Sequence, residues 1–445
     1  MPDHNATALH RIVIVGGGAA GLELATKLGG SLGRTGRAEV TLIDAALIHV
    51  WKPLLHEIAS GTLNTAEEGL SYLAQAHWSG FGFRPGRVCG VDRSARRVHT
   101  EPTVDEKGIE YIPARSFAYD TLVLAVGSVS NDFGIAGVKQ HCFFLDAHLE
   151  ADRFHQQLLR RYYTAHTQEG PLRAGQLHIA IVGAGATGVE LAAELHRSTR
   201  DLIRYGFDRI DPERDLKITL IEAADRILPG LPVRLSDLVM RQLQEIGVEV
   251  LTGERIVEAT AEAFRTGAGR ILPSEIKVWA AGIKAPEFLA GIDGLQTNRL
   301  GQVVVRRTLQ AVGNDDLFAM GDCAACPLPG DGGFVPPRAQ AAHQQASLLL
   351  RNLPRRLRGE PLREFRYLDY GSLINMSRYS TVGSLMGNIA RFWSPTYFVE
   401  GMFARVVYLS LYKMHQLAVH GVIRTAFATL ANLLTRRTRP RLKLH

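Results

Sequence analysis

Residues 11–28 read RIVIVGGGAAGLELATKL. A β-branched run passes through glycines into a stretch with apolar residues at helical spacing, so the segment predicts strand, tight turn and amphipathic helix. Gly16, Gly18 and Gly21 fit G-x-G-x-x-G. The first glycine allows the turn, the second lets a pyrophosphate approach the backbone, and the third lets helix pack on strand. A second strand, EVTLIDA, ends in Asp44, where an acid should hold a ribose hydroxyl.

The arrangement repeats. Residues 178–195, HIAIVGAGATGVELAAEL, place Gly183, Gly185 and Gly188 in the same context, and KITLIEA ends in Glu222. The helices open alike, GLELA against GVELA, which marks an internal duplication. Two dinucleotide folds in one chain most simply bind two dinucleotides. Glu222 would repel a 2′-phosphate, so the second ligand is expected to be NADH rather than NADPH. The spacing from Gly183 to Glu222 is longer than usual, with an insertion around 201–215.

Three further segments locate the first ligand. YDTLVLAVGS (119–128) ends near Gly127, VWAAGIKAP (278–286) is its counterpart at Gly282, and DLFAMGDCA (316–324) carries Gly321 and Asp322. The layout resembles flavoproteins with two dinucleotide-binding domains, in which such a Gly-Asp binds the ribityl and pyrophosphate of FAD. Asp322 is equally suited to capping a helix, and the two roles are compatible. The expected fold is α/β with two Rossmann-type domains of the disulfide-reductase-like superfamily. The expected boundaries are an FAD domain in two pieces, 1–150 and 286–360, an inserted NADH domain, 151–285, and a C-terminal membrane-associating region, 361–445.

Composition sets the class. The chain has 445 residues, 46% hydrophobic and 21% charged, as in ordinary globular proteins. Four scattered cysteines do not make a disulfide framework. Cys323 and Cys326 form the one C-x-x-C, away from where disulfide reductases of this fold keep their redox pair, and two cysteines cannot complete a zinc site. No metal is expected. The start lacks the pattern of a secretion signal, so the protein is expected on the cytoplasmic side.

Residues 336–346, PPRAQAAHQQA, present two neutral amides. In a helix, Gln340 and Gln344 share one face. They read either as solvent-facing residues or as a site for a ligand with both donors and acceptors. Here the resemblance becomes specific. The segments IVIVGGGAAGLELA, HVWKPLLHEIASG, TLVLAVGSVSNDF, IVGAGATGVELAAELH, GDCAACP, GGFVPPRAQAAHQ and RPRLKLH, in this order, resemble the single-subunit type II NADH:quinone oxidoreductases over essentially the whole chain. The resemblance implies NADH oxidation through non-covalent FAD and two-electron reduction of a membrane quinone, ubiquinone or menaquinone. It also implies that Gln340 and Gln344 line the quinone slot and that Glu190 is catalytic near the nicotinamide. An acid in a first helical turn also suits the helix dipole, and Glu23 holds the equivalent place in the first repeat. Lys52, in HVWKP, is expected to stabilise the anionic reduced flavin. Arg378 and Tyr379 lie where the C-terminal region could approach the flavin.

The tail carries the charge. From residue 401 onward there are eight Lys/Arg and no Asp or Glu, against a net charge of +7 for the whole chain. No window is apolar enough to span a bilayer. The stretch 402–434 reads instead as amphipathic, with Arg405, Lys413, Gln416, His420 and Arg424 on one stripe, and Arg436 and Arg437 beyond it. The expectation is a helix lying in the interface on anionic lipid, at the cytoplasmic face of the inner membrane, with no proton pumping. A helical hairpin packed on the core is the competing structure, and no nucleic-acid module accompanies the cations. Association into a homodimer is left open. The competing functions are a sulfide:quinone or ferredoxin-type reductase, or an NADH-binding flavoprotein acting through partners.

Overall fold

The computed structural model describes residues 9–105, 107–330, 332–377, 380–385, 397–435 and 442–443. In chain order, the elements that position the site begin with β1 (Arg11–Val15), α1 (Ala19–Leu28), β2 (Glu39–Asp44), α2 (Leu55–Ala59), β3 (Gly82–Pro85), β4 (Thr121–Leu124), β5 (Phe143–Phe144) and β6 (His178–Val182). They continue with α3 (Ala186–Ile203), β7 (Lys217–Ile221), β8 (Glu249–Leu251), β9 (Ile276–Trp279) and β10 (Leu317–Ala319). The last are α4 (Ala339–Leu357), β11 (Gly371–Met376), β12 (Ser380–Leu385), β13 (Tyr397–Glu400) and α5 (Gly401–Thr435). The chain divides into two units: Met1–Val50, Gly69–Val129 and Lys284–Asp369 form the first, and Trp51–Glu68, Ser130–Ile283 and Tyr370–His445 the second.

In the first unit the strand order is β10–β4–β1–β2–β3. Every pairing is parallel, with Val15 opposite both Leu124 and Ile43. β1 is buried after Arg11, as a strand covered on both faces must be, and this is why its sequence is continuously apolar. α1 returns over the sheet and buries Leu22, Leu24 and Leu28 completely. Each such side chain contributes roughly 1.5–3 kcal/mol. α4 packs against α1.

The second unit repeats the plan with the order β5–β9–β6–β7–β8, again all parallel. One strand is permuted. The edge position taken last in the first unit, by β10, is taken first here, by β5. α3 has 18 residues where α1 has 10, and turns follow it to β7, which explains the long Gly183–Glu222 spacing. An antiparallel sheet β11–β12–β13 leads into α5.

α5 is not one straight helix. Gly421 sits at φ 76°, ψ 172°, outside helical geometry, so a new helix starts after it. The single stripe read from 405 to 424 is therefore corrected: a helical face keeps its direction only along one axis, and the axis ends at Gly421.

Candidate functional site

In the first unit, the loop after β1 is held by backbone and side chain together. Gly16 has φ +99°, and a Cβ on it would lie 2.4 Å from the carbonyl oxygen of Ala125. A Cβ on Gly21 would lie 1.8 Å from the Gly16 oxygen, so helix and loop touch. Gly18 differs. It is in extended conformation at φ −60°, and nothing stands within 4 Å of where its Cβ would be. Neither backbone nor packing requires glycine there. The open space leaves the backbone accessible to a ligand. Gly18 also caps α1 without a side-chain hydrogen bond, which leaves the first-turn amides without a side-chain acceptor, the arrangement that suits a phosphate.

Asp44 closes the loop: it accepts from Gly17 N at 2.6 Å and from Ala46 N at 2.7 Å. The Gly17 carbonyl accepts from Tyr72 Oη at 2.7 Å and from His49 Nδ1 at 2.9 Å. Sequence reading missed both braces. Gly127 and Gly321 lie at φ +71° and +73°. Asp322 accepts from Ser128 Oγ at 2.8 Å, joining the ends of β4 and β10.

Gln340 and Gln344 lie on α4, half-buried, and both reach the segment before Tyr370. Gln340 Nε2 donates to Asp369 Oδ1 (3.1 Å). Gln344 exchanges two hydrogen bonds with the Leu368 backbone, at 2.8 and 3.0 Å. Their neighbour Gln345 is buried and accepts from Gly321 N at 2.6 Å, which ties α4 to the Gly-Asp turn. Its presence in the quoted stretch was the available signal. His343 Nδ1 meets Glu23 Oε2 at 2.5 Å, and Lys27 pairs with the same carboxylate. Burial would raise the Glu23 pKa, but these two partners hold it below its ordinary value.

The second unit repeats the glycine geometry and the carboxylate closure of this loop. Gly183 has φ +102°, and a Cβ on Gly188 would lie 1.9 Å from its oxygen. Gly185 faces open space, as Gly18 does, and caps α3 with no side-chain hydrogen bond. Glu222 accepts from Ala184 N at 2.8 Å and Ala224 N at 2.9 Å, the pattern of Asp44. Gly282 lies at φ +66° against the Phe133 ring.

Glu190 occupies the place of Glu23 with the opposite outcome. It is buried, its Oε1 accepts from Asn375 N at 2.9 Å, and its Oε2 lies 3.8 Å from His56 Nδ1. Burial, with added repulsion from Glu57 and Glu194, pushes its pKa up to about 8, against the pull of the Asn375 amide. Glu194, one turn on, accepts from Thr62 Oγ1 at 2.7 Å and pairs with Arg197; there the partners outweigh burial and the pKa falls. Lys52 lies 3.7 Å from Asp146 with its side chain 46% exposed.

Cys323 and Cys326 are buried free thiols, pushed by burial to about 11 and 12. Among the described residues no cluster of His, Cys, Asp and Glu could hold a metal ion, and no helix is long and apolar enough to cross a membrane. Past Gly421, α5 leaves Val422, Ile423, Phe427 and Leu434 each about 70% exposed, with Arg424 exposed among them. Lys413 donates to Gln416 Oε1 at 2.7 Å. The side chains of Arg405 and His420, and residues 378, 379, 436 and 437, lie outside the described residues.

Two nucleotide loops of this build define a flavoprotein of the two-dinucleotide class. The family described as Pyridine nucleotide-disulphide oxidoreductase matches residues 10–346. The chain belongs to the type II NADH:quinone oxidoreductases: it is 41% identical to the protein of that name from Haemophilus influenzae over 98% of this chain and 100% of the relative. A Staphylococcus aureus relative of the same name is 30% identical over 85% of this chain and 90% of its own. Among solved structures, NDH2 from Plasmodium falciparum in complex with NADH superposes with a TM-score of 0.80 at 18% identity, covering 98% of this chain and 100% of its own. A sulfide:quinone oxidoreductase from Aquifex aeolicus gives 0.71 at 16% identity over 97% and 96%, a likeness of fold.

Proposed function

We propose that this protein oxidises NADH through FAD and reduces a membrane quinone, without pumping protons. The observation that carries the reading is the pair Gly18 and Gly185, each open where a side chain would go and each at the head of a helix. Two dinucleotides fit that pair. When bound, the flavin takes a hydride from NADH and delivers two electrons to the acceptor. Gly16, Gly18, Gly21, Asp44, Gly127, Gly321 and Asp322 hold it. Gly183, Gly185, Gly188, Glu222 and Gly282 hold NADH, and the Glu222 carboxylate disfavours a 2′-phosphate.

Glu190 keeps a proton at neutral pH, so it can donate one during quinone reduction. Gln340 and Gln344 recognise the quinone head, since an amide serves carbonyl and hydroxyl alike. Lys52 offers positive charge toward the reduced flavin. The apolar, cation-bearing end of α5 supports a peripheral seat on anionic lipid at the cytoplasmic face of the membrane. A sulfide:quinone reaction needs reactive thiols; the buried Cys323 and Cys326, with raised pKa values, argue against it.

An anaerobic titration tests the reading. NADH should bleach the flavin absorbance and a short-chain quinone should restore it, with NADPH far less effective. A colourless protein that cannot be reconstituted with FAD would sink the proposal.

A further inference from the structure

The reaction NADH + H⁺ + quinone → NAD⁺ + quinol draws one proton from solvent, because the hydride carries two electrons and one proton. Glu190 can give a proton, but it is buried in the second unit and must be recharged. Of the titratable side chains near it, Glu57, Glu194 and His56, the last lies within 4 Å of both Glu190 and the partly exposed Glu57.

α2 begins at Leu55, which sets His56 inward, 3% exposed, while Glu57 next to it keeps 25% of its side chain exposed. The imidazole lies between two carboxyls, with Nδ1 3.8 Å from Glu190 Oε2 and Nε2 4.0 Å from Glu57 Oε1. Both gaps lie just beyond hydrogen-bond range. Such contacts tighten when a catalytic complex forms. An imidazole is the one side chain that accepts a proton on one nitrogen while releasing another from the opposite one. A structural histidine needs no carboxyl at both ends.

We propose that His56 relays the solvent proton from Glu57 to Glu190. The inference rests on the reading of Glu190 as proton donor in quinone reduction. The steps balance. The O–H bond of Glu190 breaks as its proton is drawn into quinone reduction, whose product gains one O–H bond. His56 Nδ1 then gives its proton to the Glu190 carboxylate, Nε2 takes one from Glu57, which is reprotonated by solvent, and the ring, left as the Nε2–H tautomer, returns to the Nδ1–H form by proton exchange with solvent before the next turnover. Electron count is untouched, since only protons move.

The groups facing the ring fit this traffic. Glu194 on α3 supplies negative charge, and the Pro53 backbone hydrogen-bonds the ring, yet burial dominates and lowers the His56 pKa. The resting imidazole is therefore neutral at pH 7, beside a neutral Glu190. A neutral pair avoids two buried charges and leaves the ring ready to accept. His56 acts through Glu190 and not on the substrate.

The test uses the full-length holoenzyme carrying His56→Ala, with His56→Gln as a variant that keeps the ring's volume. Flavin reduction by NADH is followed by stopped flow, and steady-state turnover with a short-chain quinone from pH 6 to 9. We expect flavin reduction unchanged within about twofold and quinone turnover lowered roughly 100-fold, the usual contribution of a placed proton-transfer group. Added imidazole should restore the alanine variant and not the glutamine one. Turnover with a wild-type pH profile in either variant would overturn the relay, as would equal loss in both half-reactions or a loss in the alanine variant that imidazole leaves untouched. A wild-type enzyme that reduces its flavin but not quinone would instead overturn the functional reading itself.

Discussion

Replacing Gly185 by alanine separates what the fold needs from what the ligand needs. Gly185 sits at φ −73°, ψ −174°, a conformation open to any residue, and its added methyl would meet nothing within 4 Å. The unfolded chain loses some freedom, worth about 0.4–1 kcal/mol, and alanine caps a helix less well than glycine by a similar amount, so the variant should stay within about 1 kcal/mol of the parent. NADH pays the difference. A methyl forced into a close contact costs about 1–3 kcal/mol, which is roughly a 5- to 150-fold rise in Kd. Gly188→Ala is the contrast. Its Cβ would lie 1.9 Å from the Gly183 oxygen, a backbone atom that cannot step aside, so stability should fall by about 3 kcal/mol. Thermal unfolding and an NADH titration monitored by flavin fluorescence would measure both. The reasoning fails if Gly185→Ala binds NADH with unchanged affinity, or if its Tm drops as far as that of Gly188→Ala.

Three further outcomes are expected. Glu190 has a pKa of about 8, above its ordinary 4.5, so its contribution to stability is full below about 4.5 and is lost as pH rises through 8; Glu190→Gln should gain Tm relative to wild type on the alkaline side and lose the alkaline limb of the quinone rate profile, and parallel Tm curves would refute the assignment. Gln340→Ala and Gln344→Ala should each slow quinone reduction about tenfold, the loss of one hydrogen bond, while flavin reduction by NADH stays intact; equal loss of both half-reactions counts against them as quinone ligands. Phe427→Glu, on the exposed face past Gly421, should release the protein from anionic vesicles and impair only long-chain quinone reduction; undiminished sedimentation with vesicles would contradict the lipid seat.

Much of the nucleotide-binding plan was legible because it is local. A β-branched run, glycines at fixed offsets and an acid at the next strand's end lie within about forty residues, and each constrains backbone geometry whatever surrounds it. The two loops accordingly match down to the amides that Asp44 and Glu222 accept from. The helical pairing of Gln340 with Gln344 was readable for the same reason, whereas their hydrogen bonds to 368–369 were not.

What the tertiary structure decided is which neighbours arrive from afar. Glu23 and Glu190 are interchangeable in the sequence repeat, yet His343 and Lys27 keep the first ionised while burial beside Asn375 and His56 leaves the second protonated. Likewise, nothing local assigns Trp51–Glu68 and Tyr370–His445 to the second unit, or gives β5 the edge that β10 takes in the first. Backbone shape follows from adjacent residues, but the charge state of a buried carboxyl follows from desolvation and from partners the fold brings to it, and a one-dimensional pattern carries neither.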